Sequence, residues 1–220
     1  RPCEMLVFRL PGSDKLSYAG AATAWEPSSA VRETMEQAVV RVGEHIRQTV
    51  GYRGTFTLDG VATADGFLPT ELNPRFGGAI ARMSAGMPEL PLYFLNVATM
   101  AGQELDYRPE QLQELVRSQA AAYPVVRGMH MIEGLGGGES RKQPLCRLGN
   151  GWREAEPEEE ADAVLSMGPA AAGTIVFVSL KKHAIELGPS SAPVVSELIA
   201  FASELWDLGI GPLIPAPDIA

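Results

Sequence analysis

The chain has 220 residues, 45% of them hydrophobic and 20% charged, with a net charge of −9. That composition fits folded soluble protein, one large domain or two small ones with length enough for a buried core, and excludes a disordered chain. The acidic balance argues against sequence-independent binding to nucleic acid, and the two cysteines, Cys3 and Cys146, form no C-x-x-C pair that would hold zinc or a disulfide framework.

In chain order, Glu4 to Leu10 reads as a strand, Pro11-Gly12-Ser13-Asp14 as turn chemistry and Lys15 to Ala21 as the returning strand of a hairpin. The chain opens at Arg1 directly into this strand-like text, so a further N-terminal portion is expected before it. Pro27 to Val50 reads as a helix capped by Ser28 or Ser29, with an apolar stripe at Val31, Met35, Val39, Val42 and Ile46 and a glycine stop at Gly51. Thr55 to Ala62 and Phe67 to Asn73 read as two strands joined at Asp65-Gly66, a hairpin signal. Gly77-Gly78 breaks the chain. Helices are expected over Leu90 to Ala101 and Pro109 to Ala122, with a boundary near Tyr107 and core or lobe-interface packing around Met83 to Tyr93. The Leu90 to Ala101 stretch is too short to span a bilayer and is interrupted by Asn96. With no visible signal peptide, a reduced cytoplasmic setting is expected.

Beyond the boundary, Val125 to Ile132 reads as a strand, Gly134 to Glu139 as a flexible loop, and Glu154 to Asp162 as a solvated acidic run leading into a short helix. Gly173 to Lys181 is a buried-type strand, Pro193 to Leu208 an amphipathic helix, and the proline-rich tail after Gly211 irregular. The glycine loop lacks the G-K-[ST] ending of a phosphate-binding P-loop. His45, His130 and His183 show no metal-ligand spacing. Strands and helices do not alternate strictly, so the expected class is α+β with antiparallel sheet.

The middle hairpin carries the chemistry. Alternation puts Phe56 and Leu58 on one face of its first strand and Thr55, Thr57 and Asp59 on the other. On the second strand, Leu68, Thr70 and Leu72 share one face and Phe67, Pro69, Glu71 and Asn73 the other. A loop centred near Asp65 sets Asp59 opposite Glu71 and Thr57 opposite Asn73. Two carboxylates at ~5 Å and an effective dielectric of ~20 repel by roughly 3 kcal/mol, so the pair calls for a cation or a shared proton. The donors are all oxygen, which favours Mg²⁺ or Mn²⁺ over zinc. Mg²⁺ keeps few protein carboxylates and completes its shell with water and substrate phosphates, so the set also implies a nucleotide. Arg75 offers a fork suited to phosphate or carboxylate, and Gly77-Gly78 lets backbone approach a ligand. The plain alternatives are a solvated hairpin face with Asn73-Pro74 as a turn, and an ion pair of Arg75 with Glu71 or Asp59.

The stretch GYRGTFTLDGVATADGFLPTELNPRFGG resembles the metal-binding hairpin of the ATP-grasp superfamily. In that family an acid on one strand and a Glu-x-Asn on the next hold two magnesium ions against ATP phosphates. Asp59, Glu71 and Asn73 match those positions, and Arg75 matches an arginine near the transferred phosphate or the substrate. Tyr18-Ala19-Gly20, Asp65-Gly66-Phe67, Glu71 to Gly78 and an extension reaching Gly211-Pro212-Leu213 are similar to the pheganomycin-type peptide ligase subgroup.

The resemblance implies an ATP-grasp C-terminal lobe over residues 1–107 and a smaller appended α+β domain over 108–220. It implies ATP-dependent ligation of a carboxylate, from an amino acid or peptide, to an amine through an acyl phosphate. Asp59, Glu71 and Asn73 are then the metal ligands and Arg75 the catalytic cation. Arg9, Arg75, Gly77 and Gly78 contact the nucleotide, although for Arg9 a plain strand-edge charge is the competing reading. The four lysines, Lys15, Lys142, Lys181 and Lys182, do not form the lysine-bearing lobe that grips ATP in the family, so an upstream lobe of the same protein is expected to complete the site. A non-catalytic nucleotide- or substrate-binding module, or a subunit needing a partner lobe, is the alternative. A homo-oligomer is left open, and neither nucleic acid nor membrane is an expected partner.

Overall fold

A computed structural model describes residues 2–10, 12, 14–85, 87, 89–106, 108–134 and 139–215. The fold is α+β with a large antiparallel sheet. It divides into two compact units, one spanning Glu26–Tyr123 and the other joining Cys3–Trp25 to the chain from Pro124 onward. The division falls between Tyr123 and Pro124 rather than near Tyr107, itself outside the described residues. The first two strands thus belong with the C-terminal sheet and not with the hairpin.

That sheet contains β1 (Glu4–Arg9), β2 (Leu16–Ala22), β5 (Val126–Glu133), β6 (Arg141–Leu148), β7 (Gly151–Glu154), β8 (Ala163–Ala170), β9 (Gly173–Leu180) and β10 (Ile214–Pro215), where β3 and β4 are the hairpin strands described below. Its order is β10-β1-β2-β5-β9-β8-β6-β7, antiparallel throughout. Period-two burial explains the strands: Val176 and Val178 on β9, and Ala163, Leu165 and Met167 on β8, lie on the inner face. Helix α5 (Ala192–Trp206) presses Val195, Leu198, Ile199 and Ala202 onto the core and touches β1, β5, β7, β9 and β10. The helix comes so close that a Cβ on Gly128 would sit 2.3 Å from Val195 Cγ1.

Three expectations change here. The short helix after the acidic run is the strand β8, because Ala163, Leu165 and Met167 alternate inward between β6 and β9. Strands β6 and β7 add to the expected elements: the text of β6 is polar and carries Pro144, and β7 is only four residues long. The tail is not wholly irregular: Ile214 and Pro215 pair with Arg9 and Phe8. Pro11, Ser13 and most of the 134–139 loop lie outside the described residues.

At the β6–β7 edge, Arg153 grips Glu159 with both terminal guanidinium nitrogens, and the Glu156 backbone N–H adds a bond at 3.1 Å. These donors hold the Glu159 carboxyl down at about 2. A depressed carboxylate gives stability that is complete above the ordinary value near 4.5 and is lost as pH falls toward about 2. In acid titrations of unfolding free energy, Glu159→Gln is expected to flatten that limb relative to wild type. An unchanged limb would remove Glu159 from the acid response.

The other unit is built on α1 (Ser29–Val50), the hairpin β3 (Thr57–Thr63) and β4 (Gly66–Asn73), α2 (Gly78–Ala85), α3 (Leu92–Met100) and α4 (Pro109–Ala122). Ser28 caps α1, accepting from Val31 N at 3.3 Å, and Gly51 closes it in the left-handed region at φ 64°. The stripe packs through half-buried Val31, Met35, Val42 and Ile46 with buried Ala38, while Val39 turns outward. Asn96, the polar break in the apolar α3 text, is buried; its Oδ1 accepts from Thr55 N at 2.8 Å and Thr55 Oγ1 at 2.9 Å, tying α3 to the approach to β3. Large apolar side chains on α3, Tyr93, Phe94, Val97 and Met100, stay exposed.

Candidate metal and phosphate site

Strands β3 and β4 pair Thr57 with Asn73, Leu58 with Leu72 and Asp59 with Glu71, the register expected from the loop at Asp65. One step further, Gly60 pairs with Pro69, so Thr70 has no opposite number and forms a bulge. The bulge exchanges the faces of the outer half of β4. Phe67 and Pro69 turn to the apolar side with Leu58, and Leu68 turns to the polar side. Exposures agree: Phe67 is 8% exposed and Leu68 57%. This corrects the simple alternation expected along β4. Gly60 permits the arrangement, since a Cβ there would lie 2.5 Å from the Phe67 ring and 2.4 Å from Leu68 O. The apolar side packs on α1, with the Phe56 ring over Gly43 and Phe67 N–H donating to Thr34 Oγ1 at 2.9 Å.

The polar side gathers Thr57, Asp59, Glu71 and Asn73. Asn73 Nδ2 donates to Asp59 Oδ2 at 3.0 Å, and Asn73 Oδ1 accepts from Arg75 Nη2 at 3.3 Å. Asp59 and Asn73 are half-buried; Glu71 and Arg75 are exposed. Among the described residues neither Asp59 nor Glu71 takes part in an ion pair. The charge of the facing carboxylates is therefore not met by a basic side chain, and Arg75 addresses the Asn73 amide rather than either acid.

The loop to α2 is held at both sides. Arg75 N–H donates to Asn73 O at 2.8 Å, and the Phe76 ring meets Tyr93 edge-on at 5.4 Å between centroids. Gly77 lies against Thr57: a Cβ there would be 2.7 Å from Thr57 Cγ2. Any side chain at Gly77 would lift α2 from the polar end of the hairpin. Helix α2 itself went unread in the sequence, where Gly77-Gly78 marked only a break.

No protein-family model matches the chain, and neither a curated protein nor a solved structure gives a significant match. The reading of the site therefore rests on its residues. Two carboxylates and a carboxamide, all oxygen donors on one face, suit a hard divalent cation. Asn73 would present Oδ1 to it only after its amide turns away from Asp59. Among the described residues no three histidine, cysteine, aspartate or glutamate side chains come together as a metal site, at the hairpin or away from it. The open depression beside Glu36, Gln37, Val40 and Arg41 lies on α1 and includes none of these groups.

The structure thus brings Asp59, Glu71, Asn73 and Arg75 to one end of the hairpin and sets Gly77 and Gly78 at the start of α2 beside it. Arg9 belongs to the other unit, at the end of β1, where it pairs with Leu16 and Ile214 and is exposed. Among the described residues no helix is long and apolar enough to cross a membrane.

Proposed function

We propose that the hairpin is the magnesium and phosphate half of an ATP-grasp-type active site, serving ATP-dependent joining of a carboxylate to an amine. The observation that carries this is the Asp59–Glu71 cross-strand pair, left without a basic partner and bordered by Asn73 and Arg75. Asp59, Glu71 and Asn73 would hold Mg²⁺, which when bound neutralises phosphate charge. Arg75 would orient the terminal phosphoryl group or the receiving carboxylate. The carboxylate takes the phosphoryl group and releases ADP; the amine then attacks the acyl phosphate, forming the amide and releasing phosphate. Peptide-type substrates, amino acids or peptides, follow from the resemblance to the pheganomycin-type subgroup.

Glu26–Tyr123 contains no lysine. The unit also buries few large side chains, Phe67 and Met87 among them, while α3 keeps its aromatic and aliphatic groups exposed. Both features suit a lobe completed by a lysine-bearing partner that grips the nucleotide. The second reading, a non-catalytic binding module, draws on the same features.

Isothermal titration with a non-hydrolysable ATP analogue tests the proposal. Binding is expected to require Mg²⁺ and to strengthen when a lysine-bearing partner lobe is supplied. Equal binding in EDTA would sink it. ADP release on adding carboxylate and amine would separate the ligase from the binding module.

A further inference from the structure

An antiparallel sheet with one face in water alternates apolar and polar text along its strands. Strand β9 does not: Ile175 to Val178 is an unbroken apolar run. Val176 and Val178 are buried on the α5 side, so Ile175 and Phe177 point to the opposite face. The register extends that face across the sheet. Met129 pairs with Phe177 and Met131 with Ile175; on the other side Phe177 pairs with Ser166, and Ser166 with Lys142. Arg127, Ser179 and Val164 form the next row. Met131 is 40% exposed and Phe177 43%, with Met129, Ile175 and Val164 half-buried around them. The face opposite α5 therefore carries an apolar strip over β5, β9 and β8 that is open to solvent.

Two cations border the strip. Arg127 on β5 and Lys142 on β6 are exposed on this same face, and among the described residues neither takes part in an ion pair. The order β5-β9-β8-β6 sets their strands about 14 Å apart at the usual spacing of about 4.8 Å. A helix with its side chains is about 10–12 Å across, so one helix fits over the strip with a cation along each flank. On the other face of the sheet α5 is a cover of this kind, a single helix with an apolar stripe. The acids at the ends of the face do not cancel the two cations. Glu133 lies about 20 Å from Arg127 along β5 at about 3.4 Å per residue, and Glu159 is held by Arg153. The chain as a whole carries −9, so these flanks are a local positive field that draws carboxylates and turns away a basic helix. Met129 and Met131 add flexible, polarisable side chains that adapt to an apolar partner.

We infer that the sheet face opposite α5 is a docking surface for an amphipathic helix of another protein. Its aliphatic stripe lies over Met129, Met131 and Phe177, and its Asp or Glu side chains meet Arg127 and Lys142. This is independent of the magnesium reading, since none of these residues belongs to the hairpin. The probe is a designed helical peptide with a leucine stripe flanked by glutamates. Two control peptides replace the glutamates with lysines or the leucines with serines. The methyl signals of Met129 and Met131 are followed in a ¹³C–¹H spectrum of the whole chain, with the other methionine signals as internal reference. The expected result is a saturable shift of both signals with the glutamate peptide, none with the serine peptide, and binding of the lysine peptide weaker by about tenfold or more. Arg127→Glu combined with Lys142→Glu changes two exposed side chains; it should leave the melting temperature near the wild-type value and reverse the preference, so that the lysine peptide binds the tighter. No shift with the glutamate peptide, equal binding of the lysine peptide, or an unreversed preference in the double variant would each overturn the inference. So would shifts that follow the protein's own concentration in place of the peptide's, which would make the face a contact between copies of this chain. Shifts with phosphatidylglycerol vesicles but not with the glutamate peptide would make it a membrane surface instead, and would overturn the inference equally.

Discussion

Glu71→Gln is expected to raise the melting temperature of the metal-free protein and to erase the further rise that Mg²⁺ gives the wild type. The two effects have one cause. Without a cation, Asp59 and Glu71 face each other across the ladder with no basic partner, and such like-charged pairs cost up to about 1 kcal/mol on a sheet surface. Exposure of Glu71 screens the repulsion, so the relief on neutralising it is expected at or below that figure, a few degrees in a domain of about 100 residues. With Mg²⁺ at about 100 times its Kd the wild type should gain about 2.7 kcal/mol. The variant keeps the shape of Glu71 but offers a weaker neutral oxygen, and should gain little. Thermal melts with and without Mg²⁺ check both signs. Destabilisation of the metal-free variant would make Glu71 a structural residue, and an undiminished Mg²⁺ response would move the metal elsewhere.

The hairpin could be read because its information is local. Alternating text, an Asp65-Gly66 turn and three polar positions specify a register within nineteen residues, Thr55 to Asn73, and Asp59 meets Glu71 as that register requires. The cap at Ser28 and the stop at Gly51 are equally local. The bulge at Thr70 was signalled less plainly, by a glycine and a proline inside strand text at Gly60 and Pro69. The large sheet was less legible because its partners are remote. Nothing near Ala22 says that it will pair with Val126, and the acidic run before Ala163 disguised a strand whose inward residues acquire meaning only beside β6 and β9.

Arg75→Lys should separate phosphoryl chemistry from metal binding. The guanidinium of Arg75 donates to Asn73 Oδ1 at 3.3 Å, but in the metal-free form Asn73 is independently held by Asp59 at 3.0 Å, and the loop is held by the Arg75 backbone N–H and the Phe76–Tyr93 contact. None of these supports needs the Arg75 side chain. The lysine variant should therefore keep the Mg²⁺-induced rise in melting temperature that Glu71→Gln loses. Its turnover should fall far more. A cation placed on a transferring phosphoryl group is worth about 10³-fold or more in kcat, and a point-charge ammonium cannot reproduce a planar fork. In the form of the protein that couples carboxylate to amine, kcat is expected to fall by about that factor, with a much smaller change in KM for ATP, as for an interaction made chiefly in the transition state. Wild-type turnover in Arg75→Lys would reduce Arg75 to a partner of Asn73. Loss of the Mg²⁺ response together with turnover would show that its role is to position the metal ligands rather than to meet the phosphoryl group.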